Sequence, residues 1–246
     1  MDNYQFCVKW LLEQPSSKGA RVLDYGCGVG QIVMQLREKQ FDAFGCDVFF
    51  EGGDYSRFIE DGLLGGVIIK MEEDRIPFGD EYFDFIINNQ VMEHVQDLDQ
   101  VLAEMDRVLK PGGIILSLFP DRSVWREGHC GILFLHWFPK GSKFRIYYAA
   151  SIRALGFGYH KKDKGVMQWS RDFCEYLDRW THYRDLGEIR CAYSKRFKKS
   201  AHIEEYWLRQ RLGDWEAILS VFPAKIQRSL VRRFCGLVFE VVKPSI

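Results

Sequence analysis

Apolar residues recur along this chain in two alternating rhythms. Phe6, Val8, Trp10, Leu11 and Leu12 give apolar surface to an amphipathic helix predicted over residues 4–13, which Pro15-Ser16-Ser17-Lys18-Gly19 ends. Short apolar or β-branched runs then predict strands at Val22-Leu23 and at residues 41–47, 67–70, 83–88 and 114–119. Helical patterns fall between them. Ile32, Val33 and Leu36 form one stripe, residues 55–61 suit a short helix, and Leu98, Val101, Leu102, Met105, Val108 and Leu109 recur at helical spacing. Asp97 is placed to cap that last helix and Gly112 to stop it. Strand–helix alternation repeated in this way specifies a parallel sheet with right-handed crossovers. Further on, residues 170–183 read as a helix, 188–193 as a sixth strand, 200–222 as largely helical, and 237–242 as the last strand.

The stretch Arg21-Val22-Leu23-Asp24-Tyr25-Gly26-Cys27-Gly28-Val29-Gly30-Gln31 carries the first chemistry. It reads as a buried strand, a glycine turn and a helix start. Alternate glycines let the main chain turn sharply and leave it bare for a ligand at the carboxyl end of the first strand. The spacing is G-x-G-x-G, with Gln31 where the dinucleotide fingerprint needs its third glycine, which argues against a pyrophosphate cradle. Asp24 sits where strand meets turn. Asp47, with Val48 beside it, ends the second strand, where a carboxylate suits a ribose diol. Cys27 lies inside the turn as a small space-filler.

The residues Val22 to Gly30 resemble the first motif of the class I S-adenosylmethionine-dependent methyltransferases, and Asp47 their ribose-binding acid. Ile76-Pro77-Phe78-Gly79-Asp80-Glu81-Tyr82-Phe83-Asp84 followed by Val91-Met92-Glu93-His94-Val95 resembles their fourth-strand region, and Val108-Leu109-Lys110-Pro111-Gly112-Gly113 the approach to their fifth strand. Four motifs in order cover roughly the first half of the chain. The resemblance implies a Rossmann-like α/β fold: a seven-stranded sheet flanked by helices, whose last strand inserts antiparallel between the fifth and sixth. It implies S-adenosylmethionine as cofactor, held by Asp24, Gly26, Cys27, Gly28, Gly30, Asp47 and Val48. An acid after the third strand should meet adenine. Glu72 aligns there, but Glu73 and Asp74 adjoin it and the choice stays open. Asn89 ends the fourth strand near the place of methyl transfer, and Glu93 and His94 are given a supporting role at the start of the following helix.

Composition narrows the rest. The 246 residues are 47% hydrophobic, and 34 basic and 34 acidic residues leave no net charge, so no global basic field points to nucleic acid. The first residues lack the pattern of a secretory signal, and no apolar run reaches transmembrane length. Seven cysteines without a C-x-x-C pair fit a reducing cytoplasm. The chain reads as a single domain over 1–246, with its core at 15–119 and 170–246.

Residues 120–168 depart from a minimal fold. They are aromatic, basic and broken by glycine, they leave the carboxyl end of strand five, and they read as a cap over the ligand crevice. A second, helical insertion precedes the last strand. Within the cap, Glu127-x-His129 and His136 are the candidate catalytic groups, because an alcohol acceptor needs a general base. No carboxylate cluster accompanies the two histidines, so no metal is expected. The acceptor is expected to be a small molecule or a glycan. The Trp-x-Glu-Gly-His order at residues 125–129 loosely resembles methyltransferases of surface-glycan biosynthesis. A protein or lipid-like acceptor, a non-catalytic S-adenosylmethionine-binding protein and an NAD-dependent oxidoreductase are the other readings. The aromatic, basic cap leaves room for peripheral membrane contact, and monomer and homodimer both stay open.

Overall fold

The first strand is apolar on both faces, the signature of a strand that neighbours and helices cover completely. In the computed structural model, which describes residues 1–53, 55–72, 75–161, 164–212 and 222–245, β1 (Arg21–Tyr25) lies between β2 (Asp42–Asp47) and β4 (Phe83–Asn89), parallel to both. β3 (Ile68–Lys70) extends the sheet beyond β2, and β5 (Leu109–Phe119) pairs parallel with β4. β7 (Leu237–Val242) runs antiparallel between β5 and β6 (Lys199–His202). Among the described residues the order is therefore β3-β2-β1-β4-β5-β7-β6 in one seven-stranded sheet. This is the architecture the resemblance implies, with the last strand in its inserted place.

Helices cover both faces. On one side pack α1 (Asn3–Leu12), α2 (Gln31–Glu38), α7 (Glu204–Leu212) and α8 (Ala224–Phe234), which contribute Phe6, Ile32, Trp207 and Val231 to a common core. On the other, α3 (Leu98–Val108) and α6 (Leu186–Ser194) contribute Leu102 and Tyr193. Asp2 and Gln5 form a capping box that starts α1, and Asp97 accepts from the Gln100 amide to start α3, as its position predicts.

Several elements differ from the sequence reading. Residues 188–193 lie in α6, not in a strand, because Asp185 and Glu188 form a second capping box there. The sixth strand is Lys199–His202, overlapping the start of the stretch expected to be helical, residues 200–222. The short helix near residue 55 shrinks to one tight turn, Ser56–Phe58. Helix α3 ends at Val108 and passes straight into β5, so Gly112 is not its stop. The cap is more regular than its sequence: it contains α4 (Lys143–Ala154), which packs on α5 (Val166–Trp180). Together they bury Cys130, Ile132, Leu135 and Trp169 in a small core of their own.

Candidate functional site

A cleft of about 690 Å³ opens at the carboxyl ends of β1, β2 and β4, beneath the cap. This lies within the roughly 300–1,000 Å³ of small-molecule sites. A wider depression of about 870 Å³ between α3 and α6 is more open and is lined by no residue of the glycine loop. Asp24, Gly26, Cys27, Gly28, Asp47, Val48, Asn89 and His129 line the 690 Å³ cleft.

The glycine turn shows why its residues are small. Gly28 has φ +52°, and a side chain there would meet nothing within 4 Å, so its main chain faces open cleft. Gly30 does a different job. At φ +81° it caps α2, and a Cβ would strike Ile68 Cδ1 at 2.3 Å, so its bareness serves packing against β3 and it stands outside the cleft wall. Asp47 is held rigidly: its two carboxylate oxygens accept from the amides of Gly28 at 2.9 Å and Phe49 at 2.8 Å. Asp24, buried beside it, is pushed up to about 8, first by burial and then by the Asp47 charge. No lysine or arginine is among the described residues lining the cleft beside these acids. Glu72 is exposed and away from the cleft wall, whose nearest member on that loop is Met71; Glu73 and Asp74 lie outside the described residues.

On the cap side, His129 enters the cleft with Glu127 behind it. Glu127 is fully buried and accepts from His129 Nδ1 at 2.6 Å, the Tyr183 hydroxyl at 2.8 Å and the Cys130 amide at 2.8 Å. Burial alone would raise this carboxyl, but those donors hold it at about 2. His136 does not join them. It is buried behind Tyr183, ring centroids 4.5 Å apart, with Nε2 3.3 Å from the Arg122 carbonyl. Burial pushes it down to about 4 and it does not line the cleft, which corrects its place among the catalytic candidates.

His94 joins them instead. Its Nε2 lies 3.1 Å from His129 Nε2, and its Nδ1 lies 2.7 Å from the Trp180 carbonyl. The hydrogen bonds can be counted. The Trp180 carbonyl only accepts, so His94 Nδ1 carries a proton. Glu127 is a carboxylate, so His129 Nδ1 carries another. The contact between the two Nε2 atoms needs a third. Three protons on four ring nitrogens give the pair one positive charge, matched by Glu127. Burial and then the His129 charge push His94 down to about 4, so the charge sits on His129. For His129, burial opposes charge, but Glu127 outweighs it and raises the imidazole above its ordinary value.

Phe50, Tyr55, Tyr176, Trp180 and Tyr183 complete the wall, and sequence reasoning singled out none of them for the site. Arg184 clamps the turn that carries His94, donating to the carbonyls of Val95 and Gln96, both at 2.7 Å. Among the described residues no group of three or more His, Cys, Asp or Glu side chains is arranged to hold a metal.

Residues 2–187 match the model of the methyltransferase domain family. The chain belongs to that family. With its sheet order and glycine cleft, it is a class I, S-adenosylmethionine-dependent methyltransferase. The ubiquinone biosynthesis O-methyltransferase of Chelativorans sp. (strain BNC1) is 27% identical to this methyltransferase over 177 residues, covering 69% of this chain and 68% of that one. The protein of the same name from Mesorhizobium japonicum is 30% identical over 132 residues, 52% of its length. The ubiquinone/menaquinone C-methyltransferase of Vibrio campbellii is 33% identical over 108 residues, 41% of its length. Apart from the first, the matches thus cover about half of these relatives or less. Among solved structures, a methyltransferase from Mesorhizobium loti superposes with a TM-score of 0.52 at 13% identity, covering 97% of this chain and 96% of that one. The complex of a methyltransferase with the Haloferax volcanii Trm112 activator gives 0.53 at 18% identity, covering 98% and 90%. At these identities the superpositions show the shared fold.

Proposed function

We propose that this methyltransferase methylates an oxygen of a small-molecule or glycan acceptor, with His129 as general base. The observation that carries the reading is the Glu127–His129 pair at the cleft wall, buried behind and open in front. S-adenosylmethionine supplies a methyl group already activated by a sulfonium charge. The residues present fit it. The Asp47 carboxylate faces a part of the cleft that no described lysine or arginine lines, and a cation beside Asp24 would draw its proton off, a setting that favours a positively charged ligand. Asp47 would take the ribose hydroxyls on its remaining lone pairs, and the bare Gly28 backbone would let the cofactor lie close. Asn89, which accepts from Asn3 at 3.2 Å, closes the same wall.

His129 becomes a base when the histidine pair gives up its shared proton. Its Nε2 would then take the hydroxyl proton of the acceptor, and the cofactor, held at the glycine turn, would supply the methyl group to the freed oxygen. Glu127 steadies the imidazolium that results. Much of the remaining effect is orientation, and Trp180, Tyr176 and Phe50 offer ring faces for an acceptor. The lack of lining lysine and arginine favours a neutral acceptor over a phosphorylated or carboxylated one. An amine acceptor is the second reading. It draws on Glu93, a buried carboxyl of the cleft wall whose Oε2 has no hydrogen-bond partner among the described residues.

The test is methyl transfer from labelled S-adenosylmethionine to fractionated extract, with the methylated atom located by NMR. His129→Ala is expected to lower kcat by roughly two to four orders of magnitude with cofactor affinity nearly unchanged. Turnover of the parent should rise with pH as His129 loses its proton, and that rise should vanish in the variant. Full activity of the variant would overturn the base assignment, and a methylated nitrogen would favour the second reading.

A further inference from the structure

Helix α8 is amphipathic in an unexpected direction. It buries Gln227 and Val231. Yet Ile226, Leu230 and Phe234 recur every four residues as a ridge open to solvent, 45, 36 and 57% exposed. A helix that only covered the sheet would turn such a ridge inward. The ridge also continues past the helix. Phe234 meets Trp125 edge to face at 5.0 Å, Trp125 meets Phe134 at 6.4 Å, and Phe134 meets the exposed Trp137 at 4.6 Å. One apolar strip therefore runs from α8 onto the cap.

On α8 and the adjoining cap segment the exposed charge has a single sign, with the exposed Asp185 of α6's cap the acid that borders it. Helix α8 contains four basic residues and no acid. Arg228 and Arg232 are tied to Glu205 and Glu204, while Lys225 and Arg233 are exposed. On the adjoining segment, residues 120–145, every exposed charge is again basic, because Asp121 and Glu127 are buried. The chain as a whole has no net charge, so this positive excess is balanced elsewhere on the chain.

We propose that α8 and the neighbouring edge of the cap dock on an anionic lipid bilayer. A helix with an exposed apolar ridge and a basic flank lies in the plane of a membrane surface, its ridge among the acyl chains and its cations at the headgroups. A second copy of the chain fits less well, because docking the strip on itself sets like charges against each other. The inference is independent of the acceptor and of the base.

Flotation of the full chain with vesicles tests it. Binding is expected to vesicles containing phosphatidylglycerol, weak binding to phosphatidylcholine alone, and release by salt. Ile226→Glu with Leu230→Glu should abolish flotation while the Tm and S-adenosylmethionine affinity stay at parent values. Lys225→Glu with Arg233→Glu should weaken it by roughly tenfold or more. No flotation with phosphatidylglycerol, equal binding to both vesicle types, or variants that float like the parent would overturn the proposal. So would a dimer in solution that the ridge variant dissociates, since the strip would then be covered by a second copy.

Discussion

Asp24 is a buried carboxyl in the cleft wall that the fold holds at a cost. Held at about 8 by burial and by Asp47, it binds a proton in the folded chain that the unfolded chain releases near pH 4. Its contribution to stability therefore declines as pH rises through that window. Asp24→Asn should raise the Tm of the ligand-free protein at neutral pH and weaken S-adenosylmethionine binding, checked by thermal melts and calorimetry. A variant that melts lower and binds as tightly would contradict this account. Asp24, Asp47 and Gly28 were legible in the sequence because a tight turn after an apolar strand restricts which residues stand there. Glu127 and His129 were legible as a pair because they are two positions apart. The His94 contact was not, since only the fold brings residues 35 positions apart together. Nor does position on a loop say which way a side chain faces, and His136 turned inward behind Tyr183.

At the scale of elements, α6 and β6 teach the same lesson from opposite sides. Ile189, Cys191 and Tyr193 alternate with other residues, a period-two rhythm that reads as a strand. The overriding signal was Asp185 followed three residues later by Glu188, with reciprocal hydrogen bonds of 2.9 and 2.8 Å. Asp185→Ala should destabilise the protein by about 1 kcal/mol, a Tm drop of roughly 2–4 °C for a chain of this size. An unchanged melt would mean that packing of Ile189 and Tyr193 alone holds α6. β6 left no apolar pattern to find, because it is an edge strand with Lys199, Ser200 and Ala201 exposed. α4 was hidden for a similar reason: its buried face is Arg145, Ala149 and Ala150, too small and polar to show as a stripe. The central parallel strands β1 and β4, by contrast, are mostly buried and announce themselves.

The whole molecule is a three-layered sandwich with its cleft between sheet and cap, so a ligand touching both should stabilise the folded chain as a unit. At a hundred times its Kd, S-adenosylmethionine should add about 2.7 kcal/mol and raise the Tm by roughly 5–10 °C, whereas NAD should leave it unchanged. A shift with NAD and none with S-adenosylmethionine would sink the cofactor assignment. The inserted position of β7 has a consequence for how the protein is made. Its register runs from Ile114 against Val242 to Phe119 against Leu237. While a ribosome extends the chain from the fifth strand to the last, the outer edge of β5 stays without this partner. At roughly 5–20 residues per second that interval is on the order of ten seconds. An apolar strand waiting that long with its amides unpaired invites pairing with another nascent chain. Messages loaded with many ribosomes should therefore need chaperone cover until Leu237–Val242 emerges.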